Sequence, residues 1–433
     1  MIYSTSPRRN TGRRIAILVA AGIVAAGLTA CSPAGDGTSP GPLTMTISGN
    51  DIDKQVMEER LALAKEALPD IDVDLEVVAK DYDIKLQTMF AGGVAPDVLQ
   101  VLDSVNVYSS KGQLEDLNAA MDAEGVDTVA SFGQGLVDTY STDGKLWAVP
   151  DRSGAAALYY NKDLFDAAGV AYPDETWDWD AMREASKKLT VVENGQVVQW
   201  AYGAGDWWPW YMNWIYQNGG RVLDESGAPV VNSAENIKAL EFYNSLVFDD
   251  KSALSPADYA NQGLNNGQPD PLFAQGKLAM NVTGFWNISS LKDSEINWDI
   301  APLWHGVEAA VPAFGSGLAV SAQSEHKDAA AKLIAFLTSA AGQKPIAVSG
   351  LDVPSNVEAV ADASFQSPSW NTSGVDLSVF TSSAEAIFAP PLVPEWNQIQ
   401  KAFTDGLADT WTGSQSVEDG LDNVQETLER LLG

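Results

Sequence analysis

The chain has 433 residues, with 58 acidic against 26 basic side chains, a formal net charge of −32 and one cysteine. Such a surface repels nucleic-acid phosphates and anionic lipid head groups, so nucleic acid is not an expected partner and the acidity reads as solubility. A chain well beyond the ~250–300 residues at which single cores stop growing is expected to form two lobes, held by hydrophobic cores because one cysteine leaves no internal disulfide.

At the N-terminus Arg8, Arg9, Arg13 and Arg14 precede an apolar run over residues 15–28, which ends in Leu28-Thr29-Ala30-Cys31. A basic start, a short apolar core and small residues before a cleavage point make an export signal. The run is shorter than the ~20 residues a permanent membrane helix needs. Residues 1–30 therefore read as a lipoprotein signal peptide: the residues before Cys31 resemble a bacterial lipobox, in which cleavage exposes the cysteine and its sulfur receives a diacylglyceryl group. An ordinary signal beside a chance cysteine is the other reading, but Cys31 is the only cysteine and stands where lipidation requires it. The paired arginines also suit twin-arginine export, yet neither pair is followed by the Phe-Leu-Lys type of continuation, so the Sec and twin-arginine routes both stay open. Loss of these four arginines with residues 1–30, which contain no acid, deepens the net charge from −32 to −36. Residues 31–42 follow as the lipidated cysteine and a Gly-, Ser- and Pro-rich tether.

The folded part is expected to start at residue 43. Residues 43–48 read as a strand, 52–68 as an amphipathic helix, 71–78 as a strand, 82–90 as a helix and 98–102 as a short buried strand. This alternation predicts a parallel sheet with helices on both faces. Residues 146–149 and 155–160 are strand-like and flank Pro150-Asp151-Arg152-Ser153-Gly154, where a crossover between lobes is expected. A helix over 178–189 is opened by Thr176, and another spans 233–248. Strands at 277–282 and 318–321, a helix over 327–337, and C-terminal helices over 396–407 and 417–432 complete an α/β pattern without an evident internal repeat.

An enzyme is given little by these residues. Glycoside hydrolysis needs a carboxylate pair at ~5–10 Å, and the abundance of acids prevents any pair from being singled out. Triad chemistry needs a histidine, and only His305 and His326 exist, neither in the setting of a base,. No Gly-rich phosphate loop, paired-histidine motif or EF-hand spacing occurs, so neither a metal nor another cofactor is expected. Tryptophan stands out instead: all fourteen lie at or after Trp147, crowded in Asp206-Trp207-Trp208-Pro209-Trp210 and Trp214. A pyranose offers an apolar C–H face and a rim of hydroxyls, which suits flat rings beside carboxylates. For any single tryptophan a place in the core is at least as good a reading; for the group, a partly exposed binding face is expected.

The string Leu146-Trp147-Ala148-Val149-Pro150, then Leu158-Tyr159-Tyr160-Asn161-Lys162-Asp163-Leu164-Phe165, Ala168-Gly169, Pro173 and Thr176-Trp177, resembles bacterial extracellular solute-binding proteins of the carbohydrate class, the group that includes maltose-binding protein. Met89-Phe90-Ala91-Gly92-Gly93, Asn218-Gly219-Gly220, and the run from Phe273 through Met280 to Gly284-Phe285-Trp286 support it by their order. The resemblance covers nearly the whole mature chain. It implies a two-lobed periplasmic-binding-protein-like (type II) α/β fold with discontinuous lobes joined by hinge crossovers, the first at 43–151 plus 317–370 and the second at 152–316 plus 371–433.

By the same resemblance Asn50, Asp51 and Asp103 face the cleft after strand ends, where open sheets place ligands, although helix capping explains Asn50 and Asp51 equally well. Trp286 matches a tryptophan that stacks on sugar, and Trp396 resembles a C-terminal aromatic that does the same. Asp206, Trp207 and Trp208 supply rings and a carboxylate together. Arg152 suits a hydroxyl pair or an anionic ligand group, or a hinge salt bridge with Asp151 or another acid. Gly315, in Phe314-Gly315-Ser316-Gly317, suits close approach of backbone to ligand or a hinge. The implied function is a monomeric substrate-binding lipoprotein of an ABC importer, with a di- or oligosaccharide as ligand, permease subunits as partners and membrane contact through the lipid alone. The alternatives are an exported glycoside-active enzyme, an adhesion lipoprotein, or a solute-binding protein for glycerol phosphate, peptide or another non-sugar ligand.

Overall fold

A computed structural model describes residues 41–433 apart from 265–268, 373, 383–385 and 389; the leader, Cys31 and the tether up to residue 40 lie outside the described residues. Leu43–Ser48 (β1) pairs in parallel with Val73–Val78 (β2) and with Val98–Val101 (β3). Helices Asp51–Ala67 (α1) and Tyr82–Gly92 (α2) make the connections. α1 begins where it does because Asn50 and Asp53 cap it reciprocally. Asn50 Oδ1 accepts from the Ile52 amide at 2.7 Å, and Asp53 Oδ2 accepts from the Asn50 amide at 2.9 Å,. Because the three strands are parallel, Gly49 to Asp51 after β1 and Asp103 after β3 lie on one edge of the sheet.

Two longer strands carry the chain out of this sheet and back. Val149–Ala155 (β4) and Val311–Val320 (β10) run antiparallel to each other, and β10 also pairs antiparallel with β3. With the short strands Val353–Pro354 (β11) on β4 and Ile387–Phe388 (β12) on β10, they complete a seven-stranded sheet ordered β11-β4-β10-β3-β1-β2 with β12 beside β10. The second sheet has five strands. Its order is Trp298–Ala301 (β9), Ala157–Asn161 (β5), Leu278–Thr283 (β8), Gln196–Tyr202 (β7) and Val191–Glu193 (β6). Only β8 and β7 are parallel there. Parallel pairing is thus limited to β1 with β2 and β3, β10 with β12, and β7 with β8, and both sheets are mixed.

Three hydrophobic cores underlie these sheets. Met45, Ile47, Val98, Leu99 and Val149 pack with Leu318, Val320, Leu333 and Leu337 in one core. Ala155, Tyr202, Trp214, Trp304, Val311 and Leu421 belong to a second, and Tyr159, Phe273, Phe285, Ala347, Val353 and Phe365 to a third. One core therefore ends at Val149 and the next begins at Ala155, while on the return the change falls between Val311 and Leu318. Pro150 to Gly154, expected between two strands, are themselves the middle of β4. The helix expected to open at Thr176 is capped instead by Asp178, whose carboxylate accepts from the Ala181 amide at 2.8 Å. Thr176 turns back onto Asp174, donating from its hydroxyl at 2.6 Å.

α1 is bolted to β4 by charge. The fully buried Arg60 guanidinium pairs with Asp151 and donates to the carbonyls of Leu337 at 2.7 Å and Gly342 at 2.8 Å. Two turns nearer the cap, Asp53 Oδ1 accepts from Arg152 Nη1 at 2.7 Å. Removing one partner of a buried pair strands the other charge, at a cost of ~3–5 kcal/mol. Asp151→Ala is therefore expected to lower the unfolding free energy by about that amount in urea titrations, and Arg60→Met/Asp151→Leu to recover much of it; an Asp151→Ala midpoint equal to the parent's would remove the anchoring role.

Candidate functional site

Asp103 leaves the C-terminal end of β3 and meets residues from the far end of the chain. Its Oδ2 accepts from Trp396 Nε1 at 2.9 Å and from Gln400 Nε2 at 3.4 Å. Both come from the helix Trp396–Trp411 (α8). The indole of Trp208, which begins the helix Trp208–Gln217 (α4), faces the same carboxylate and meets Trp396 edge-on at 5.6 Å and 85°. Asp103 keeps some accessible surface but is surrounded by protein. Desolvation, outweighing the indole hydrogen bonds and reinforced by the charge of Asp83, pushes its carboxyl up to about 6,. It is an oriented acceptor of intermediate basicity where side chains from both lobes meet.

A few residues away the tryptophans divide. Trp208, Trp210 and Trp214 are buried and Trp396 is fully so, whereas Trp207 is 42% exposed and Trp286 is half-buried. Trp207 stacks on Phe314 of β10 at 5.9 Å and 21°, and Trp286 meets the same ring edge-on at 4.7 Å and 77°. Gly284 makes the place of Trp286 available: a Cβ there would fall 2.0 Å from the indole. Asp270, with Asn281 Nδ2 donating at 2.7 Å, faces the same indole, and its carboxyl is raised by burial. The crowding in the sequence therefore serves two ends. Rings turned inward build the second lobe's core, and Trp207 and Trp286 both pack against Phe314 with part of each ring accessible.

The remaining expected residues lie elsewhere, and no contact joins them to Asp103 among the described residues. Asn50 caps α1, and Asn50 and Asp51 line a groove of about 500 Å³ with Glu76 and Val77. Arg152 is buried in the crossover, bonded to Asp53 and 3.8 Å from Asp151, while Nη2 finds no hydrogen-bond acceptor among the described residues. Burial opposes its charge, but Asp53, Asp151 and Asp352 hold its pKa above the ordinary arginine value. Asp352 beside it is pushed up to about 7, by desolvation against the pull of Arg152. Gly315 lies where β10 crowds β4: a Cβ would come within 2.9 Å of the Arg152 carbonyl. Asp206 is half-buried at the start of α4, in the wall of a second groove with Trp207 and Trp208. Gln400, Phe314 as a ring, and Asp270 went unread in the sequence. Only Gln400 carried a signal, since it lies four residues after Trp396 and so on the same helix face.

Among the described residues no three His, Cys, Asp or Glu side chains gather as a metal site, and no helix is long and apolar enough to cross a membrane.

A family model described as bacterial extracellular solute-binding protein matches residues 49–344. The maltodextrin-binding protein MdxE of Bacillus subtilis is 23% identical over 424 residues, covering 92% of this chain and 90% of that protein. A maltooligosaccharide ABC transporter solute-binding lipoprotein of Streptococcus pneumoniae serotype 4 is 25% identical over 359 residues, covering 81% of this chain and 80% of that one. Among solved structures, the ABC substrate-binding protein Lmo0181 of Listeria monocytogenes, in complex with cycloalternan, aligns with a TM-score of 0.84 at 27% identity, over 90% of this chain and 99% of that one.

The raised carboxyl of Asp103 makes a signed prediction. A group whose pKa is higher in the folded state stabilises it fully below the unfolded value, and that contribution is lost as pH rises through the folded value. Between about 4 and 6 the Asp103 carboxylate thus becomes a burden of up to about 3 kcal/mol, at ~1.36 kcal/mol per unit. In ligand-free protein Asp103→Asn is expected to unfold at higher denaturant than the parent at pH 7.5, with the difference closing near pH 4. A difference independent of pH would show that Asp103 is not the titrating group.

Proposed function

The chain belongs to the bacterial extracellular solute-binding protein family, and on that premise we propose that it is the carbohydrate-capturing lipoprotein of an ABC importer, taking a sugar of two or more units into the cleft between its lobes. The observation that carries this reading is the pairing of an oriented carboxylate, Asp103 between the indoles of Trp396 and Trp208, with the accessible rings of Trp207 and Trp286. Sugar hydroxyls donate to carboxylates, and their C–H faces lie on aromatic rings. The relatives named above support the sugar class, and the one named a lipoprotein supports an anchor on Cys31.

In this reading the first lobe, 43–151 plus 317–370, supplies polar contacts and the second, 152–316 plus 371–433, supplies stacking. β4 and β10 act as the hinge, with Arg152 and Gly315 serving its geometry. Asn50, Asp51 and Asp206 border the cleft. Ligand stabilises the closed population, and the permease subunits recognise that shape. The protein acts as a monomer without catalysis or cofactor, held at the outer face of the membrane by lipid. Cys31→Ser is expected to shift the mature protein from the membrane fraction to the soluble one; retention in the membrane would count against the anchor.

The deciding experiment is a thermal-shift screen of the domain from Ser32 onward against mono-, di- and oligosaccharides, amino acids, peptides and glycerol phosphates. Ligand at about 100 times its Kd stabilises the native state by ~2.7 kcal/mol. A sugar is expected to raise the midpoint and to be recovered chemically unchanged; a released product would convert the reading to an enzyme, and hits only among peptides or phosphates would overturn the sugar class. Trp207→Ala/Trp286→Ala is expected to weaken that sugar by about 100-fold, roughly 1.4 kcal/mol per decade, at an unchanged unfolding midpoint. Unaltered affinity would remove both rings from the site.

A further inference from the structure

Trp286 is half-buried, and its one ring contact among the described residues is the edge-on meeting with Phe314. Its indole lies over Gly284, which permits that place but offers no side chain to set the angle of the ring. The polar edge is held differently. It faces Asp270, the first residue of the short helix Asp270–Ala274, where the indole stabilises the carboxylate charge.

Asp270 is itself fixed from β8. Asn281 Nδ2 donates to its Oδ1 at 2.7 Å, and Thr283 Oγ1 donates to its Oδ2 at 3.4 Å. Both donors are fully buried and stand two residues apart, so they share one face of the strand,. Tyr159 of β5 lies opposite Asn281, and its hydroxyl donates to the Gly284 carbonyl at 2.9 Å, which pins the turn into Trp286. No cation pairs with Asp270 among the described residues. The titratable groups facing it are the hydroxyls of Tyr159 and Tyr259, both raised by burial with the charge of Asp270 adding to it.

A carboxylate in such a place is costly to keep. Desolvation opposes its ionisation and raises its carboxyl in spite of the donors,, and a packed apolar residue would serve stability better. A first-turn acid favours its helix through the macrodipole, but this helix has only five residues and the acid is turned onto β8. What neutral donors converging on one carboxylate achieve is orientation, the support that a binding side chain needs from the residues behind it.

We propose that Asp270 is a positioning residue: fixed by Asn281 and Thr283, it sets the angle of the Trp286 indole, so that the accessible part of that ring meets the ligand in one orientation. The proposal rests on the carbohydrate reading given above. Asp270 acts through the ring and does not touch the sugar.

The test has a ligand-free and a ligand-bound arm. In protein labelled with fluorotryptophan, the fluorine resonance that disappears in Trp286→Phe reports that ring alone. It is expected to be a single sharp line in the parent, to shift and broaden in Asp270→Ala, and to stay near the parent position in Asp270→Asn, whose amide oxygen still accepts from the indole. In the parent the line is expected to move with pH as the carboxyl titrates above the ordinary aspartate range, and in Asp270→Asn that movement is expected to vanish; this pair carries the test should Asp270→Ala fold poorly. A Trp286 line indifferent to pH and to both substitutions overturns the positioning role. For binding, calorimetric titration uses malto-, arabino- and galacto-oligosaccharides of three units. Asp270→Ala is expected to weaken the sugar that binds by about tenfold, and Asp270→Asn by no more than about twofold. In a Trp286→Ala background Asp270→Ala is expected to add no more than about twofold, because a residue that acts through the indole has nothing left to act on. A loss that persists in full without the indole overturns the proposal. If none of the sugars binds, the carbohydrate reading falls, and the fluorine resonance alone decides whether Asp270 orients the ring.

Discussion

The arrangement depends first on the buried charges that tie α1 to the outgoing crossover strand. Arg60 to Asp151 and Asp53 to Arg152 join two turns of one helix to two successive residues of β4. Such pairs contribute little net stability, because desolvation offsets most of the Coulomb gain. Their weight here is geometric. Asp151 is the extra residue where β4 slips against β10, between Pro150 opposite Gly317 and Arg152 opposite Ser316; the bulge lets two successive side chains reach the same helix, and satisfying both arginines fixes where that helix lies along the strand. Leu337 and Gly342 supply the remaining acceptors for Arg60, which draws the helix pair over 327–349 into the same clamp.

That clamp also fixes the sheet edge from which Asp103 emerges. Asp53 both caps α1 through Asn50 and pairs with Arg152. The loop after β1 and the crossover are thereby held by one carboxylate, and Asp103 emerges from β3 on the same edge. Across from it α4 and α8 present indole donors bonded to the acceptor, so the carboxylate is held in one orientation. A flexible acid in water offers no such preorganisation. The cost is a carboxyl whose ionisation is penalised by its surroundings.

Much of the fold was legible. The strand at 43–48 and the helices at 327–337 and 417–432 begin and end where periodicity places them, since each is a regular amphipathic or buried run. The crossover was harder: Pro150-Asp151-Arg152-Ser153-Gly154 has the composition of a loop, yet pairing on both sides with β10 and β11 makes it a strand. The helix start assigned to Thr176 went to Asp178 because the turn made by Asp174 used the threonine first. At the site, Asn50 and Arg152 each had two readings on sequence grounds, and the ones the structure displays are the cap and the hinge ion pair.

From the sequence alone came the two-lobe scale, the α/β alternation, the family likeness and the expectations of an export signal and of sugar where tryptophan stands beside acid, because composition, periodicity and motif order are properties of the chain itself. Which tryptophans face outward was decided only by the tertiary structure. Trp207 and Trp208 are neighbours, yet the first stands outside the start of α4 and the second is turned inward against Trp396. The meeting of Asp103 with Trp396 and Gln400 was beyond any local reading, since nearly three hundred residues separate them and only the return of α8 onto the end of β3 brings donor to acceptor.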